Sequence, residues 1–179
     1  AFCGVVGLGR LLAEGEVNLL EDLRRYASDP RWRIREGVAM ALQRLGDVNM
    51  DQLILAMRSW SLGSPLEQRA AAAALCEPRL LRTTEITREV LSILDQITAS
   101  VERLDDRRSA DFLALRKGLG YCWSVATASL PSEGKARMEK WLSHPDRDIR
   151  WIMKENLKKA RLARMDSEWV RRWQEKIGD

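Results

Sequence analysis

Four arginines recur along this chain, and each is followed by small and apolar residues. They are Arg35, Arg69, Arg116 and Arg150, and the intervals between them are 34, 47 and 34 residues. A repeat in this range is typical of solenoids, in which each pair of helices buries its apolar face against the next pair. We therefore expect one helical unit to be repeated, with a longer insertion in the middle of the chain.

Apolar residues at helical spacing run through every long segment, without the alternation that marks strands. The clearest stripe consists of Ile86, Val90, Ile93, Leu94, Ile97, Val101 and Leu104. The pattern predicts an all-α fold of about four helix pairs and a terminal helix, whose inner residues are Trp169, Val170, Trp173 and Ile177. A length of 179 residues fits a single domain over residues 1–179.

Helix boundaries are marked by prolines and capping side chains. Asp29-Pro30 and Ser64-Pro65 each place a capping side chain before a proline, and Glu67 would complete a capping box with Ser64. His144-Pro145-Asp146 occupies the corresponding turn of the last unit. Gly46 and Gly134 are expected where helices end or turn. A connector at 77–84 and a charged turn at 105–108 would account for the longer central interval.

The first nine residues are apolar but few, follow no basic region and end at Arg10, which is atypical of a signal peptide or a membrane span. They are better interpreted as a helix that lacks its packing partner. Because the chain starts without Met, we expect it to be truncated at its N-terminus. Cys3, Cys76 and Cys122 fit neither a disulfide framework nor a zinc site, so a reducing, cytoplasmic location is predicted, with no membrane contact.

The segment Asp29-Pro30-Arg31-Trp32-Arg33-Ile34-Arg35, followed by Val38, Ala41 and Leu42, resembles the turn and second helix of HEAT repeats, and residues 144–150 look like a second copy. The resemblance spans residues 19–162. It implies a HEAT-like superhelix whose second helices line a concave side that binds a partner. It also implies a hydrogen bond between neighbouring repeats from Arg35 to Asp29. The matching positions before Arg69, Arg116 and Arg150 hold Gly63, Ala110 and His144, which interrupts such a ladder.

Residues for catalysis are scarce. The one histidine, His144, lies in a predicted turn, whereas metal hydrolysis and Ser-His or Cys-His catalysis need a histidine or a ligand cluster at the site. The glycines at positions 4, 7, 9, 118 and 120 do not form a phosphate-binding motif and are expected to permit close helix packing. We predict no catalytic residue, no metal site and no cofactor.

The C-terminal quarter of the chain is basic. Residues 135–179 hold 13 Lys and Arg against 8 Asp and Glu, whereas residues 1–134 hold 17 against 18. Arg150, Lys154, Lys158 and Arg161 are spaced to share one helix face beside Trp151. Such a strip suits a phosphate backbone or an acidic peptide, and a solvated helix face explains it equally well.

Seven tryptophans divide into two groups. Trp60, Trp123, Trp141, Trp169 and Trp173 lie on apolar stripes and are predicted core residues. Trp32 and Trp151 each start a second helix beside an arginine and are candidates for ligand contact. The leading hypothesis is a non-enzymatic scaffold that binds a protein partner through its concave, partly basic face. Its predicted binding residues are Trp32, Arg35, Arg150, Trp151, Lys154, Lys158 and Arg161.

Trp151 and Glu155 lie one turn apart on one face, which favours a second hypothesis. Residues 150–157 are similar in character to the late repeats of the HEAT-like DNA glycosylases that remove alkylated purines. That resemblance implies a nucleic-acid-binding protein, with Glu155 or another carboxylate assisting base excision in its extreme form. The enzymes have more repeats than this chain, so the glycosylase remains the alternative.

Overall fold

The computed structural model describes residues 2–178, which form eleven α-helices and no β-strand. This confirms the all-α prediction. The helices are α1 (Phe2–Ala13), α2 (Leu19–Ala27), α3 (Trp32–Val48), α4 (Met50–Trp60), α5 (Pro65–Leu75), α6 (Thr84–Ser100), α7 (Ala110–Ser129), α8 (Pro131–Leu142), α9 (Arg147–Leu157), α10 (Ala160–Met165) and α11 (Ser167–Gly178).

Alternate helices pack against one another in chain order. The contacts run from α1 to α3, then to α5, α7 and α9. The helices α2, α4, α6 and α8 each pack on the odd-numbered helix that follows. The core lies between the two sets, and α11 covers part of α9 and α10. The odd-numbered helices therefore present one shared outer surface.

The apolar stripes of the sequence face this core. In α6, the stripe residues Val90, Ile93, Leu94 and Ile97 are buried, and Ile86 is partly buried. In α11, Trp169 and Val170 are buried, while Trp173 and Ile177 pack at the edge of the core. Helix α1 packs on α3, so the N-terminal helix predicted to lack a packing partner has one.

The predicted helix starts are confirmed in part. Ser64 and Glu67 form the predicted capping box at the start of α5. The prediction at Asp29-Pro30 is wrong, because α3 begins at Trp32 and the Asp29 carboxylate accepts hydrogen bonds from the backbone and side chain of Arg31 instead. The connector at 77–84 is ordered by a short 3-10 helix over Pro78–Leu80.

Gly46 and Gly134 lie inside α3 and α8, so the prediction that they end or turn helices is wrong. A Cβ added at Gly134 would lie 2.5 Å from the Cα of Thr127 in α7. A Cβ added at Gly46 would lie 2.8 Å from a methyl carbon of Leu53. These glycines permit close packing between helices. The same role was expected at positions 4, 7, 9, 118 and 120. It is confirmed for Gly9, Gly118 and Gly120 and is wrong for Gly4 and Gly7, where an added Cβ meets no atom within 4 Å.

Gly9 and Gly7 in α1 give a matched pair of substitutions. A Cβ at Gly9 would lie 2.5 Å from the Cα of Ala41, whereas a Cβ at Gly7 meets no atom within 4 Å. Gly9→Ala is expected to lower the free energy of unfolding by about 2 kcal/mol through overpacking. Gly7→Ala should raise it by about 0.5–1 kcal/mol, since alanine favours the helix. Urea denaturation measures both, and equal effects would contradict the close approach of α1 to α3.

No helix in residues 2–178 combines the length and the apolar character needed to cross a bilayer.

Candidate functional site

A concave surface runs across the odd-numbered helices. Its first part is a cavity of about 630 Å3 between α3, α5 and α7, with Trp32, Met40 and Tyr121 at its rim and Cys76 and Cys122 in its lining. Its second part, of about 540 Å3, lies between α7 and α9. Lys117 and Tyr121 line both parts, so the two cavities are adjacent. We call the combined surface the α3–α9 groove.

Aromatic side chains in the groove are accessible to solvent. Trp32 is 61% exposed and Tyr121 is 45% exposed, while Trp151 is half-buried. By contrast, Trp60, Trp123, Trp141 and Trp169 are at most 3% exposed, and Trp173 is partly buried. The predicted core position is confirmed for Trp60, Trp123, Trp141 and Trp169. Trp32 and Trp151 both line the groove, and Trp151 also packs against the edge of the core, as Trp173 does.

Arg35, the first recurring arginine, holds its own turn together. Its Nη1 donates to the carbonyl oxygens of Asp29, at 2.6 Å, and Pro30, at 3.0 Å. The resemblance implied that Arg35 and Asp29 take part in a hydrogen bond between neighbouring repeats, whereas the observed acceptor is the backbone of Asp29 in the turn directly before α3. The pKa of the Asp29 carboxyl is lowered to about 2, chiefly by its hydrogen bond from the Arg31 side chain.

Arg69 and Arg116 join neighbouring helices. Arg69 of α5 pairs with Glu36 of α3, and its side chain packs against Gly118 of α7. Arg116 of α7 donates to the buried Asp148 of α9 at 2.7 Å. Two of the recurring arginines therefore link consecutive odd-numbered helices, as the helix-stacking interpretation expects.

Some charged side chains of the groove form ion pairs and others do not. The carboxylates of Glu36, Glu77 and Glu155 pair with Arg69, Arg79 and Lys158, respectively. Lys117 and Lys159 form no ion pair with any described residue. The groove thus combines exposed aromatic rings with unneutralised positive charge.

The Trp151–Glu155 pair is engaged by neighbouring cations. The guanidinium carbon of Arg116 lies 4.3 Å from the centroid of the Trp151 ring, at a distance suited to a cation–π contact. The Glu155 carboxylate is held by Lys158. Neither group is placed as an isolated base beside an open aromatic face. Within residues 2–178, no cluster of three or more His, Cys, Asp or Glu side chains could hold a metal ion.

Cys76 and Cys122 form no disulfide and lie together beneath the groove. Burial raises the pKa of the Cys76 thiol well above its ordinary value, and the neighbouring Cys122 raises it further. A thiol of this kind is a weak nucleophile at neutral pH. The two cysteines therefore contribute packing to the groove rather than a reactive group.

The predicted basic strip lies on two different surfaces. Arg150 and Lys154 line a separate concavity beside α11, and Lys158 lies next to it. Arg161 does not continue this face, because α9 ends at Leu157 and Arg161 belongs to α10. Its guanidinium instead contacts Tyr121, 4.6 Å from the ring centroid. The prediction of one continuous four-residue face is wrong for Arg161.

The predicted binding residues thus fall into two sets. Trp32, Arg35 and Trp151 line the groove, with Arg161 at the Tyr121 side, whereas Arg150, Lys154 and Lys158 face α11. Sequence reasoning missed Met40, Lys117 and Tyr121. Tyr121 could have been found from the sequence. It lies near Trp123 but outside the helical spacing of the buried apolar residues, which predicts an exposed aromatic side chain.

Asp146 at the start of α9 should make stability depend on pH. Burial raises its pKa, but hydrogen bonds from Arg107 and from the backbone of Ile149 and Asp148 outweigh burial, so the pKa is lowered. Its contribution is therefore complete above the unfolded pKa of about 4 and is lost as the pH falls below that value.

We expect Asp146→Asn to cost about 1 kcal/mol at pH 7 and to flatten the loss of stability below about pH 4. Urea denaturation at a series of pH values measures this. Asp105→Asn, at an exposed carboxylate without an ion pair among the described residues, is the control and should leave the profile unchanged. Parallel profiles for the parent and Asp146→Asn would contradict the role of Asp146.

Comparison of the chain with protein-family models, with characterised proteins and with solved structures gives no significant match.

Proposed function

We propose that this chain is a HEAT-like helical solenoid that binds a protein partner in the α3–α9 groove and performs no catalysis. The proposal takes α2–α3, α4–α5, α6–α7 and α8–α9 as four helix pairs, with α11 as a terminal helix. It is supported by the contacts between successive odd-numbered helices and by the linking roles of Arg69 and Arg116.

One observation supports the binding function most directly: aromatic rings line two adjacent concavities on a packed layer of helices. Trp32, Tyr121 and Trp151 offer large contact areas, and Met40, which is 45% exposed, adds an adaptable apolar side chain. Tryptophan and tyrosine are among the residue types that most often dominate the binding energy of an interface. A solvated helix face has no need of them.

The charges of the groove favour an acidic polypeptide segment as the partner. Lys117 and Lys159 supply positive charge, but Glu36, Glu77 and Glu155 also line the groove. A phosphate backbone carries a negative charge at every step and would meet these carboxylates. A polypeptide can place its own carboxylates beside the lysines and apolar side chains beside the carboxylate-bearing walls.

A nucleic-acid-binding protein related to the HEAT-like alkylpurine glycosylases is the alternative. The observation in its favour is the cluster of Arg150, Lys154 and Lys158, which lies outside the groove. On this alternative, affinity for duplex DNA would fall by about one unit of log–log slope per phosphate neutralised. Excision of a methylated purine from labelled duplex DNA would detect the enzymatic form.

Site-specific photo-crosslinking tests the groove. A photoreactive amino acid replaces Met40 in the groove, and a matched sample carries it at Leu55, an exposed residue of α4 on the other set of helices. Both proteins are irradiated in a lysate, and the captured molecules are identified by mass spectrometry. We expect a discrete protein captured at Met40 and not at Leu55.

The same capture is repeated with Trp32→Ala and Lys117→Glu. Each substitution should reduce the yield at Met40, whereas Arg44→Glu, at an exposed arginine outside the groove, should not. Capture of nucleic acid at Met40 would favour the alternative. Equal capture at Met40 and Leu55, unaffected by Trp32→Ala, would refute the groove as a binding surface.

A further inference from the structure

Three positions recur in the contacts between successive odd-numbered helices from α3 to α9. Counted from the recurring arginine, these positions are the arginine itself and the residues four and eight places later. In α3 the third position is Gln43, whose Nε2 donates to the Ala73 carbonyl of α5 at 3.1 Å. In α5 the first position is Arg69, whose side chain packs against Gly118 of α7.

Helix α7 uses all three positions on α9. Arg116 pairs with Asp148, and a Cβ at Gly120 would lie 3.1 Å from the Cβ of Glu155. The backbone N–H of Ser124 donates to the Asn156 side chain at 2.8 Å. One or more of these positions therefore contributes to each contact from α3 to α5, from α5 to α7 and from α7 to α9.

On α9 the first two positions are Arg150 and Lys154, and the third is Lys158, which follows the last residue of the helix. Small residues such as Ala39, Ala73 and Gly120 stand at the middle position in the earlier helices, and Lys154 replaces them. In the described part of the chain, no helix packs along this face in the way that α9 packs along α7. Helix α11 covers only part of α9. We call this surface the end face.

The end face contains a concavity of about 370 Å3 between α9 and α11. Its cations are Arg150, Lys154 and Lys176, and none of the three forms an ion pair with a residue of the range 2–178. Within residues 2–178, no carboxylate lines it. Its apolar lining consists of Leu142, Pro145, Trp173 and Ile177.

We propose that the end face binds an acidic amphipathic helix of a partner protein, at a site separate from the groove. The helix lies along α9 as α9 lies along α7. Its carboxylates pair with Arg150, Lys154 and Lys176 as Asp148 pairs with Arg116, and an apolar side chain enters the concavity beside Trp173.

Charge complementarity selects this occupant. A second copy stacking through its α1 would bring Arg10 and no carboxylate between Phe2 and Ala13, so it offers no partner for the three cations. A phosphate backbone would satisfy the cations but would leave the apolar lining of the concavity in contact with charge. An acidic amphipathic helix satisfies both parts of the surface.

The probe is a fluorescein-labelled peptide of about 18 residues, built from Ala, Leu and Glu, with Glu and Leu on adjacent faces of a helix. Binding to the full chain is measured by fluorescence anisotropy. We expect Lys154→Glu to weaken binding about tenfold and the double variant with Lys176→Glu to abolish it, whereas Lys154→Arg retains it. A peptide with Lys in place of Glu should not bind.

Lys117→Glu in the groove and Arg44→Glu are the matched controls, and circular dichroism confirms that every variant is folded. Equal weakening by Lys117→Glu would place the peptide in the groove and overturn the proposal. Absence of peptide binding would overturn it too, as would tighter binding of duplex DNA of about 20 base pairs that is lost in Lys154→Glu. So would self-association in sedimentation equilibrium that Lys154→Glu abolishes.

Discussion

Trp123→Ala is expected to lower the free energy of unfolding by about 4 kcal/mol, the largest effect of any single substitution considered. Trp123 is completely buried in α7, where it lies between the helices of the core. Its indole Nε1 donates to Thr98 Oγ1 of α6 at 3.0 Å. Alanine would leave a large cavity and remove the donor to a buried hydroxyl, and the two losses act together.

The measurement is urea denaturation followed by far-ultraviolet circular dichroism, and the midpoint of thermal unfolding should fall by about 10 °C or more. Trp123→Phe should cost less, since it keeps much of the volume and loses the hydrogen bond. Trp32→Ala is the matched control, because Trp32 is 61% exposed, and it should change stability by about 0.5 kcal/mol at most. Similar losses for Trp123→Ala and Trp32→Ala would contradict the buried position of Trp123.

The contrast between these two tryptophans explains what the sequence could predict. Trp123 continues the spacing of Phe112, Leu115 and Leu119, all of which are buried, so periodicity alone placed it in the core. Trp32 precedes the stripe that begins at Ile34, so the same rule placed it outside. Periodicity is a reliable signal where a helix has one buried face, as in α6. In α7 it is less complete, because helices pack on several sides and the six consecutive residues 122–127 are all buried.

Helix ends were harder to predict, and the site depended on them. No glycine or proline marks the end of α9, yet the helix stops at Leu157 and a new one begins at Ala160. The spacing of Arg150, Lys154, Lys158 and Arg161 was therefore extended one turn too far. Gly134 shows the opposite error, because a glycine that permits contact with Thr127 was interpreted as a break. Tertiary packing decides both cases, and local sequence does not encode it.

The surface on which each basic side chain lies could also be assigned only from the three-dimensional contacts. From spacing alone, Trp151 and Lys154 are close neighbours on one helix. In the structure Trp151 faces α7 and Lys154 faces α11, so a site predicted as one surface divides into the groove and the end face. The recurring arginines could have revealed this, because the position of Arg116 faces the next helix and Arg150 repeats that position.

Asn156→Leu is expected to cost about 3 kcal/mol, although the substitution inserts a residue that suits a core by size and polarity. Asn156 is fully buried between α9 and α7. Its Oδ1 accepts from the backbone N–H of Ser124, and its Nδ2 donates to the carbonyl oxygens of Leu119 and Ile152, each at 2.8 Å. Leucine would bury these backbone groups without the side chain that joins them.

Ala41, Leu75 and Cys122 occupy the corresponding position of the earlier odd-numbered helices, six residues after each recurring arginine. In the earlier helices this position is occupied by an apolar residue or a cysteine. Asn156 therefore fixes how α9 aligns along α7 instead of adding apolar contact. Fixing such an alignment is the best-attested use of a buried polar residue. The alignment places Trp151 beside Arg116 in the groove.

Gln43→Leu is the control for Asn156→Leu, because Gln43 makes one partly buried hydrogen bond between α3 and α5, and it should cost about 1 kcal/mol or less. Hydrogen exchange by nuclear magnetic resonance adds a local readout. In Asn156→Leu, the amide of Ser124 should lose protection before the rest of α7 does, because its acceptor is removed. A variant as stable as the parent, with Ser124 still protected, would show that apolar packing alone holds α9 on α7.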